Sequence, residues 1–430
     1  MRQPPPFFRV RQLFHAPRLD DIPGEVQAQL AKLNLGRRIK PGQSVAVTVG
    51  SRGIANIQVI TRAVVQHLLS LSAKPFIVPA MGSHAGGTAE GQRALIEGYG
   101  VTEEYCGCPI RASMETVVVC DTAEGFPVHF DKHAYGADHV VVVGRVKPHT
   151  NFTGDIESGL MKMMLIGLGK HEGAKIYHRA IMDYSFGQIV RSVGRVVLER
   201  CRIAAGVGIV ENGYDETALI EAVAPEEFEE REKALLRQAK QLMPKLPFDR
   251  VDILILDQIG KNISGSGMDT NVVGRKYNDH AATEHEFPKI KRIFVRSLTE
   301  ETHGNAAGIG LSEFCLARVV REMDRKITTI NCLTGGHPTG AMVPIHYETD
   351  AEVLDSALDN IGLVAPERAK MLWVQNTLHV GTVECSAAYL AEAQERKDLE
   401  IVSEVRPLPV GAGGMLPEFG EWVGNGKHCG

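Results

Sequence analysis

The chain has 430 residues, of which 44% are hydrophobic and 23% are charged, and its formal net charge is −5. This length allows two or three domains with buried cores, and the composition is that of an ordinary globular protein. The slight acidic excess gives no reason to expect a nucleic acid or an anionic membrane as a partner. No secretory signal and no apolar run of membrane-spanning length is found, which predicts a cytoplasmic protein.

Short β-branched runs alternate with amphipathic helical patterns along the first half of the chain. Strands are predicted at 43–50, 74–82, 137–144 and 202–211, and helices at 57–71 and 88–100. This order predicts an α/β fold in which parallel or mixed sheets are covered by helices.

A charged, strongly helical segment at 224–249 ends in prolines and is predicted to connect two lobes. After it the alternation resumes with the strand-like runs 252–260, 291–299 and 326–333, which indicates a second α/β domain. We therefore predict an N-terminal domain over residues 1–245 and a C-terminal domain over residues 246–430. The active site is expected in the cleft between the two lobes.

Loops that follow predicted strands carry the residues with chemical potential. In open α/β sheets, ligands bind beyond the carboxyl ends of the strands. Arg52, His84 and His149 each come shortly after a predicted strand, and Lys261 lies in a Gly/Ser-rich loop after a later one. Such a set is suited to binding a carboxylate through the arginine and moving protons with two imidazoles.

The helix predicted after His149 contains a lysine among apolar residues. Lys162 lies within "GLMKMMLIGLG", where a buried ammonium would be costly, so the plain interpretation is a lysine that reaches water past its neighbours. His171 and His178 follow, seven residues apart, and share a helical face if the helix continues through Gly173. Spacing alone leaves a functional site and two solvated histidines equally open.

The order of these residues resembles the nickel-dependent lactate racemase family. Arg52, His84, His149 and Lys162 occur in the family's order, and His178 follows Lys162 by sixteen residues, as the family's nickel ligand does. The resemblance implies a nickel-pincer nucleotide held by an amide bond to Lys162 and ligated at nickel by His178. It also implies that His84 and His149 act as catalytic acid and base and that Arg52 holds the substrate.

This resemblance covers roughly residues 40–280 and implies a function. The implied enzyme is a racemase or epimerase. It would invert the C2 hydroxyl centre of a small-molecule 2-hydroxy acid by hydride transfer to the cofactor. Cofactor-synthesis enzymes are then necessary partners, and protein made without them is expected to lack the cofactor. A homo-oligomer is compatible with the sequence.

Two departures from the family concern the substrate. Asp155 and Glu157 stand where the family has aromatic or small residues, which predicts a substrate larger than lactate, such as a sugar acid held through its hydroxyl groups. The family's substrate-binding lysine in the second lobe has three candidates, Lys261, Arg275 and Lys276, and the region of the last two is slightly favoured.

Three other functions stay open. The same cofactor would also serve net redox or dehydration chemistry. A relative that binds the nucleotide without catalysis would keep the fold, and a metal-dependent hydrolase would use His84, His149 and His178 as ligands.

Overall fold

The structure is a computed structural model that describes residues 3–51, 53–181 and 183–423. The chain divides into two compact units. The N-terminal unit spans His15–Met243, and the C-terminal unit combines Met1–Phe14 with Pro244–Gly430. No helix within the described ranges has the length and apolarity needed to cross a membrane.

The described residues form fifteen strands. In chain order they are β1 (Phe7–Gln12), β2 (Ser44–Val49), β3 (Lys74–Pro79), β4 (Thr116–Asp121), β5 (Pro127–Asp131), β6 (His139–Arg145), β7 (Ile203–Glu211), β8 (Thr217–Val223), β9 (Arg250–Ile259), β10 (Lys289–Leu298), β11 (Phe314–Leu316), β12 (Ile345–Tyr347), β13 (Met371–Val374), β14 (Thr382–Ser386) and β15 (Leu399–Ile401).

The same ranges contain fifteen α-helices. In chain order they are α1 (Ile22–Lys32), α2 (Ile57–Ser70), α3 (Ala89–Gly98), α4 (Glu103–Cys106), α5 (Lys132–Gly136), α6 (Leu160–Lys162), α7 (Lys170–Ala180), α8 (Phe186–Arg200), α9 (Phe228–Leu242), α10 (Thr270–Val273), α11 (Ala317–Glu322), α12 (Arg325–Thr334), α13 (Asp350–Asp359), α14 (Leu390–Glu395) and α15 (Phe419–Val423).

The N-terminal unit is built on a five-stranded sheet with the order β3-β2-β6-β7-β8. The first four strands are parallel, and β8 pairs with β7 in the antiparallel direction. Strands of a parallel sheet are covered on both faces, so they read as continuous apolar runs. For this reason the sequence patterns located β2, β3, β6 and β7, and the predicted α/β fold is confirmed.

The C-terminal unit contains an eight-stranded mixed sheet with the order β12-β11-β10-β9-β13-β14-β1-β15. β1 pairs antiparallel with both β14 and β15, and Phe7, Phe8 and Val10 are fully buried there. Residues 3–14 therefore lie in this unit and not in the N-terminal domain predicted over residues 1–245. Pairing between distant segments leaves no trace in local hydrophobic periodicity, which explains the difference.

One predicted strand-like run is a helix. Residues 326–333 lie in α12, whose first turn is capped by Asp324, because its carboxylate accepts a hydrogen bond from the backbone of Ile327 at 2.9 Å. The β-branched residues of this segment favour strands, but an aspartate N-cap stabilises a helix by about 1 kcal/mol. Local capping therefore prevails over composition here.

Candidate functional site

The predicted residues of the N-terminal unit follow the carboxyl ends of β2, β3 and β6. Because these strands are parallel neighbours, their carboxyl ends lie at one edge of the sheet, where α/β proteins bind ligands. His84 follows β3 and His149 follows β6. Arg52, which follows β2, lies outside the described residues, so its role stays a prediction.

His84 lies in a glycine-rich turn after β3. Its Nδ1 is 2.5 Å from the Oγ of Ser51, which links this turn to the loop after β2. The carbonyl groups of Gly82 and His84 accept hydrogen bonds from the buried amide of Gln92 at 2.9 and 3.4 Å. Gly82 and Gly86 have φ values of +62° and +71°, which glycine adopts without strain.

A buried ion pair lies beneath this turn. The Lys170 Nζ is 3.2 Å from an Asp131 carboxylate oxygen, and both side chains are fully buried. Lys170 also donates to the carbonyl of Pro79 and, at 3.3 Å, to the side chain of Gln92. Burial lowers the pKa of Lys170, and the nearby carboxylate opposes that shift. The pair fastens the first residue of α7 to the ends of β3 and β5.

Glu157 organises the loop that carries His149. Its side chain is 1% exposed, accepts the backbone N–H of His149 at 2.9 Å and pairs with Lys240 of α9 at 2.6 Å. Asp155, by contrast, is at the surface and pairs with Arg191 at 2.6 Å. Both carboxylates predicted to hold substrate hydroxyls are therefore engaged by the protein itself.

Phe152 is the central residue of the site, although no sequence motif pointed to it. Its ring stacks on those of His149 and Phe186, with centroid distances of 4.2 Å in both cases. The His178 ring centroid is 6.4 Å from it, and the Lys162 Nζ is 5.7 Å from its centroid. Its sequence signal was a single aromatic residue in a polar, glycine-containing loop.

Lys162 and His178 belong to two helices and not to one. Lys162 ends α6, and a π-helical turn, Met163–Gly167, follows, closed by a bond of 2.9 Å from the Leu168 N–H to the Met163 carbonyl. Such turns are frequent at functional sites. Lys170, with a φ of +53°, then starts α7 in a new direction. The sixteen-residue interval from Lys162 to His178 therefore contains a break between two helices. This break allows both side chains to lie near Phe152.

His171 and His178 both lie on α7, which continues through Gly173 as the spacing required. The Nδ1 of His171 is buried, and no residue in the described ranges hydrogen-bonds to it. Burial, and to a smaller extent the positive charge of Lys162, lower the pKa of His178. The lowered pKa favours the neutral imidazole, which is the form that ligates metals.

Glu232 of α9 caps the helix that contains Lys162. Its fully buried carboxyl group accepts the backbone N–H of Met161 at 2.9 Å. A side chain at position 159 would approach this carboxyl group to 2.8 Å, so Gly159 leaves the necessary space. Burial raises the pKa of Glu232 to about 8. The segment predicted to connect two lobes thus includes a helix that supports the site.

Arg275 is a buried residue of the C-terminal unit. Its guanidinium group pairs with Glu313 at 2.8 and 3.2 Å and donates to the carbonyl groups of Leu311 and Ile290. It is 1% exposed. A guanidinium so enclosed holds its own unit together, and its predicted contact with substrate stays a prediction.

The two candidate lysines of the C-terminal unit have different environments. The Lys261 Nζ donates to the carbonyl of Gly265 and, at 2.7 Å, to the side chain of Asn331. Lys276 is partly buried, and its backbone N–H donates to Glu286 at 2.7 Å. Neither arrangement assigns a substrate contact, so both roles stay predictions.

Residues 26–187 match the family model of the lactate racemase N-terminal domain. The chain therefore contains a lactate racemase-like N-terminal domain and is similar in fold to a lactate racemase. The lactate racemase apoprotein from Thermoanaerobacterium thermosaccharolyticum matches 85% of this chain and 93% of its own, with 14% identity and a TM-score of 0.53. A protein from Thermotoga maritima matches 83% of this chain and 96% of its own, with 11% identity and a TM-score of 0.50. No curated protein matches significantly.

The part of the chain that matches the lactate racemase domain contains His84, His149, Lys162 and His178. At these identities the solved structures show a shared fold, so the roles of single residues depend on the geometry of this chain. That geometry brings three of the four to one aromatic ring.

A nickel cofactor of the kind that the lactate racemase resemblance implies fits these residues. Among the described residues, no group of three or more His, Cys, Asp or Glu side chains is placed to hold a bare metal ion. A metal held within an organic cofactor would need fewer protein ligands, and the imidazole of His178 would supply one of a type that suits nickel.

Proposed function

We propose that this protein is a racemase or epimerase that inverts the C2 hydroxyl centre of a 2-hydroxy acid. A nickel-pincer nucleotide would be held by Lys162 and His178. The observation that carries the proposal is the approach of His149, Lys162 and His178 to the ring of Phe152, within the domain matched to the lactate racemase family.

When bound, a nickel-pincer nucleotide would supply reversible hydride-transfer chemistry at the carbon that bears the hydroxyl group. Lys162 would hold the cofactor through an amide bond at Nζ, which removes the ammonium charge and the penalty for desolvating it. His178, whose pKa burial already lowers, would present a neutral nitrogen to nickel.

His84 would take the proton of the substrate hydroxyl group and give it back. Ser51, at 2.5 Å, offers Nδ1 a partner in either protonation state, since a hydroxyl group both donates and accepts. Arg52 would bind the carboxylate of the substrate. Because Asp155 and Glu157 have protein partners, we propose a 2-hydroxy acid without assigning its size.

Protein produced together with the cofactor-synthesis enzymes tests this proposal. We expect a nucleotide-sized adduct on Lys162 by peptide mapping and about one nickel per chain. Incubation in D₂O with single enantiomers of 2-hydroxy acids, aldonates included, should invert C2 with little deuterium on that carbon. A Lys175→Ala variant is the control for the adduct, nickel and inversion measurements, because the pair of this lysine with Glu172 is exposed.

Two results would contradict the proposal. One is an unmodified Lys162 in folded protein from cells that load another member of the family. The other is an adduct-bearing protein that yields a keto acid or a dehydrated product and never the inverted hydroxy acid, which would support the redox or dehydration alternative.

A further inference from the structure

Residues 147–159 lie between β6 and α6 and carry both His149 and Phe152. The side chain of Ser158 ties the start of this segment to its end, because its hydroxyl group accepts the backbone N–H of Lys147 at 3.0 Å and donates to the carbonyl of Lys147 at 2.5 Å. We call the segment the 147–159 loop. Ordering the residues between its two ends costs conformational entropy, and contacts outside the loop must offset that cost.

Helix α9 supplies such contacts through two lysines. The Lys240 Nζ lies 2.6 Å from the carboxylate of Glu157, and the Lys233 Nζ lies 3.4 Å from that of Asp155. The two lysines are seven residues apart, so they share one face of the helix. Both acidic residues of the loop that depart from the family's pattern therefore bind α9.

The apolar residues of α9 fix the helix to the sheet of the N-terminal unit. Leu235, Leu236 and Ala239 form a buried cluster with Val146, which precedes the loop, and with Val210 of β7. Burial of this apolar surface stabilises the position of α9. Because the helix is anchored in this way, its polar side chains give the loop a defined place relative to the sheet.

Glu157 transmits this position to the functional residues of the loop. Its carboxylate accepts the backbone N–H groups of His149 at 2.9 Å and Gly154 at 3.3 Å. The His149 ring in turn stacks on Phe152. Glu157 is buried, and a buried carboxylate needs a counter-charge, which Lys240 provides. Without Lys240, a loop conformation that exposes Glu157 to water would be favoured.

We propose that Glu157 and Lys240 are positioning residues, which set the place of the His149 backbone and, through the ring stack, that of Phe152. This inference rests on the proposed function, in which His149 and Phe152 belong to the site. The family resemblance implies that His149 acts as an acid or base, and such a group must lie within hydrogen-bond reach of the substrate oxygen. Glu157 therefore acts on the reaction through His149 and makes no contact with the substrate.

Hydrogen exchange of the protein without cofactor tests the positioning directly. Lys240 is 44% exposed, so replacing it leaves the core intact. In Lys240→Met the backbone N–H groups of His149 and Gly154 should exchange on the order of tenfold faster, while β2 and β6 keep their protection.

Two matched variants complete this measurement. Lys240→Arg keeps the cation and should exchange as the wild type does. Arg237→Met, at an exposed position of the same helix, is the control and should also leave the loop unchanged. Wild-type exchange at His149 in Lys240→Met, or equal acceleration in Arg237→Met, would overturn the inference.

Kinetics of enzyme produced with the cofactor-synthesis partners test the consequence for the site. Lys240→Met and Glu157→Gln should each lower kcat about tenfold and change KM less than about twofold, because they displace His149 without removing a substrate contact. The double variant should lose about as much as the larger single loss, since the two residues act through one another.

Two kinetic results would contradict these positioning roles. One is a double variant whose loss equals the product of the two single losses, which would show that the residues act independently. The other is a KM raised about tenfold in Glu157→Gln with kcat unchanged, which would show that this carboxylate binds substrate. A chain that acquires no adduct on Lys162, but whose loop exchanges faster in Lys240→Met, would contradict the proposed function and support the positioning.

Discussion

Glu232 illustrates how a single side chain acquires a role from its surroundings. In the sequence it stands in the run "EEFEEREKALL", where it cannot be distinguished from the neighbouring Glu229 and Glu230. In the structure those two pair with Lys233 at the surface, and Glu232 is fully buried. Desolvation raises its pKa to about 8, while the backbone N–H groups of Met161 and Leu160 oppose the shift.

Replacing Glu232 by glutamine should flatten the pH dependence of stability. The folded pKa of about 8 lies above the unfolded value of 4.5, so the folded state holds this proton more tightly. The contribution is complete below about pH 4.5 and is lost as the pH rises towards 8, on the order of 5 kcal/mol in total. Glutamine has no such proton. Urea unfolding measured between about pH 5 and 8 tests the difference.

The matched control for this prediction is Glu230→Gln, which removes an exposed carboxylate of the same helix. It should leave the wild-type pH slope in place, because exposed pairs contribute little. An equal slope in Glu232→Gln and the wild type would show that the buried carboxyl group keeps its ordinary pKa.

At the scale of elements, α7 depends on its first residue. Lys170 adopts a φ of +53°, buries its whole side chain and pairs with Asp131 at the end of β5. This contact sets the start of the helix that carries His171 and His178. The break between α6 and α7 follows from the same residue, since a left-handed residue cannot continue a helix.

The pair between Lys170 and Asp131 should show strong coupling. Lys170→Met or Asp131→Asn alone should each lower the free energy of unfolding by about 3–5 kcal/mol, because each disrupts a buried ion pair. The double variant should cost clearly less than the sum. Urea unfolding of the four proteins measures the coupling. Lys175→Met, at an exposed pair, is the control, and additive effects would contradict the prediction.

At the scale of the whole molecule, the C-terminal unit is discontinuous in sequence. β1 lies between β14 and β15, so the sheet of this unit is completed by residues from the beginning of the chain. Val10 is fully buried and faces both Val383 and Ile401 across the two ladders. A substitution near the start of the chain should therefore change the stability of the C-terminal unit.

Val10→Asp should destabilise the C-terminal unit by on the order of 3–5 kcal/mol, because it buries an unpaired charge. Hydrogen exchange should become faster in β14 and β9, while β2 and β3 keep their protection. Arg11→Ala, which removes only a pair with Glu400 at the surface, is the control. Faster exchange confined to the N-terminal unit would contradict the discontinuous sheet.

The sequence by itself determined the features that local patterns encode. Buried parallel strands produce continuous apolar runs, so β2, β3 and β6 and the loops beyond them were located. The order of His84, His149, Lys162 and His178 indicated a resemblance to the lactate racemase family, and residues 26–187 match that family's N-terminal domain.

Tertiary structure alone decided which of these side chains meet and in what state. Phe152 became the centre of the site through contacts with residues on three other segments. Glu232 is a buried acid, and Arg275 is a buried residue that pairs with Glu313. β1, at the start of the chain, is a strand of the C-terminal sheet. Each outcome depends on desolvation or on pairing between segments far apart in the chain. Desolvation and long-range pairing produce no periodicity or residue spacing that can be read from a local stretch of sequence.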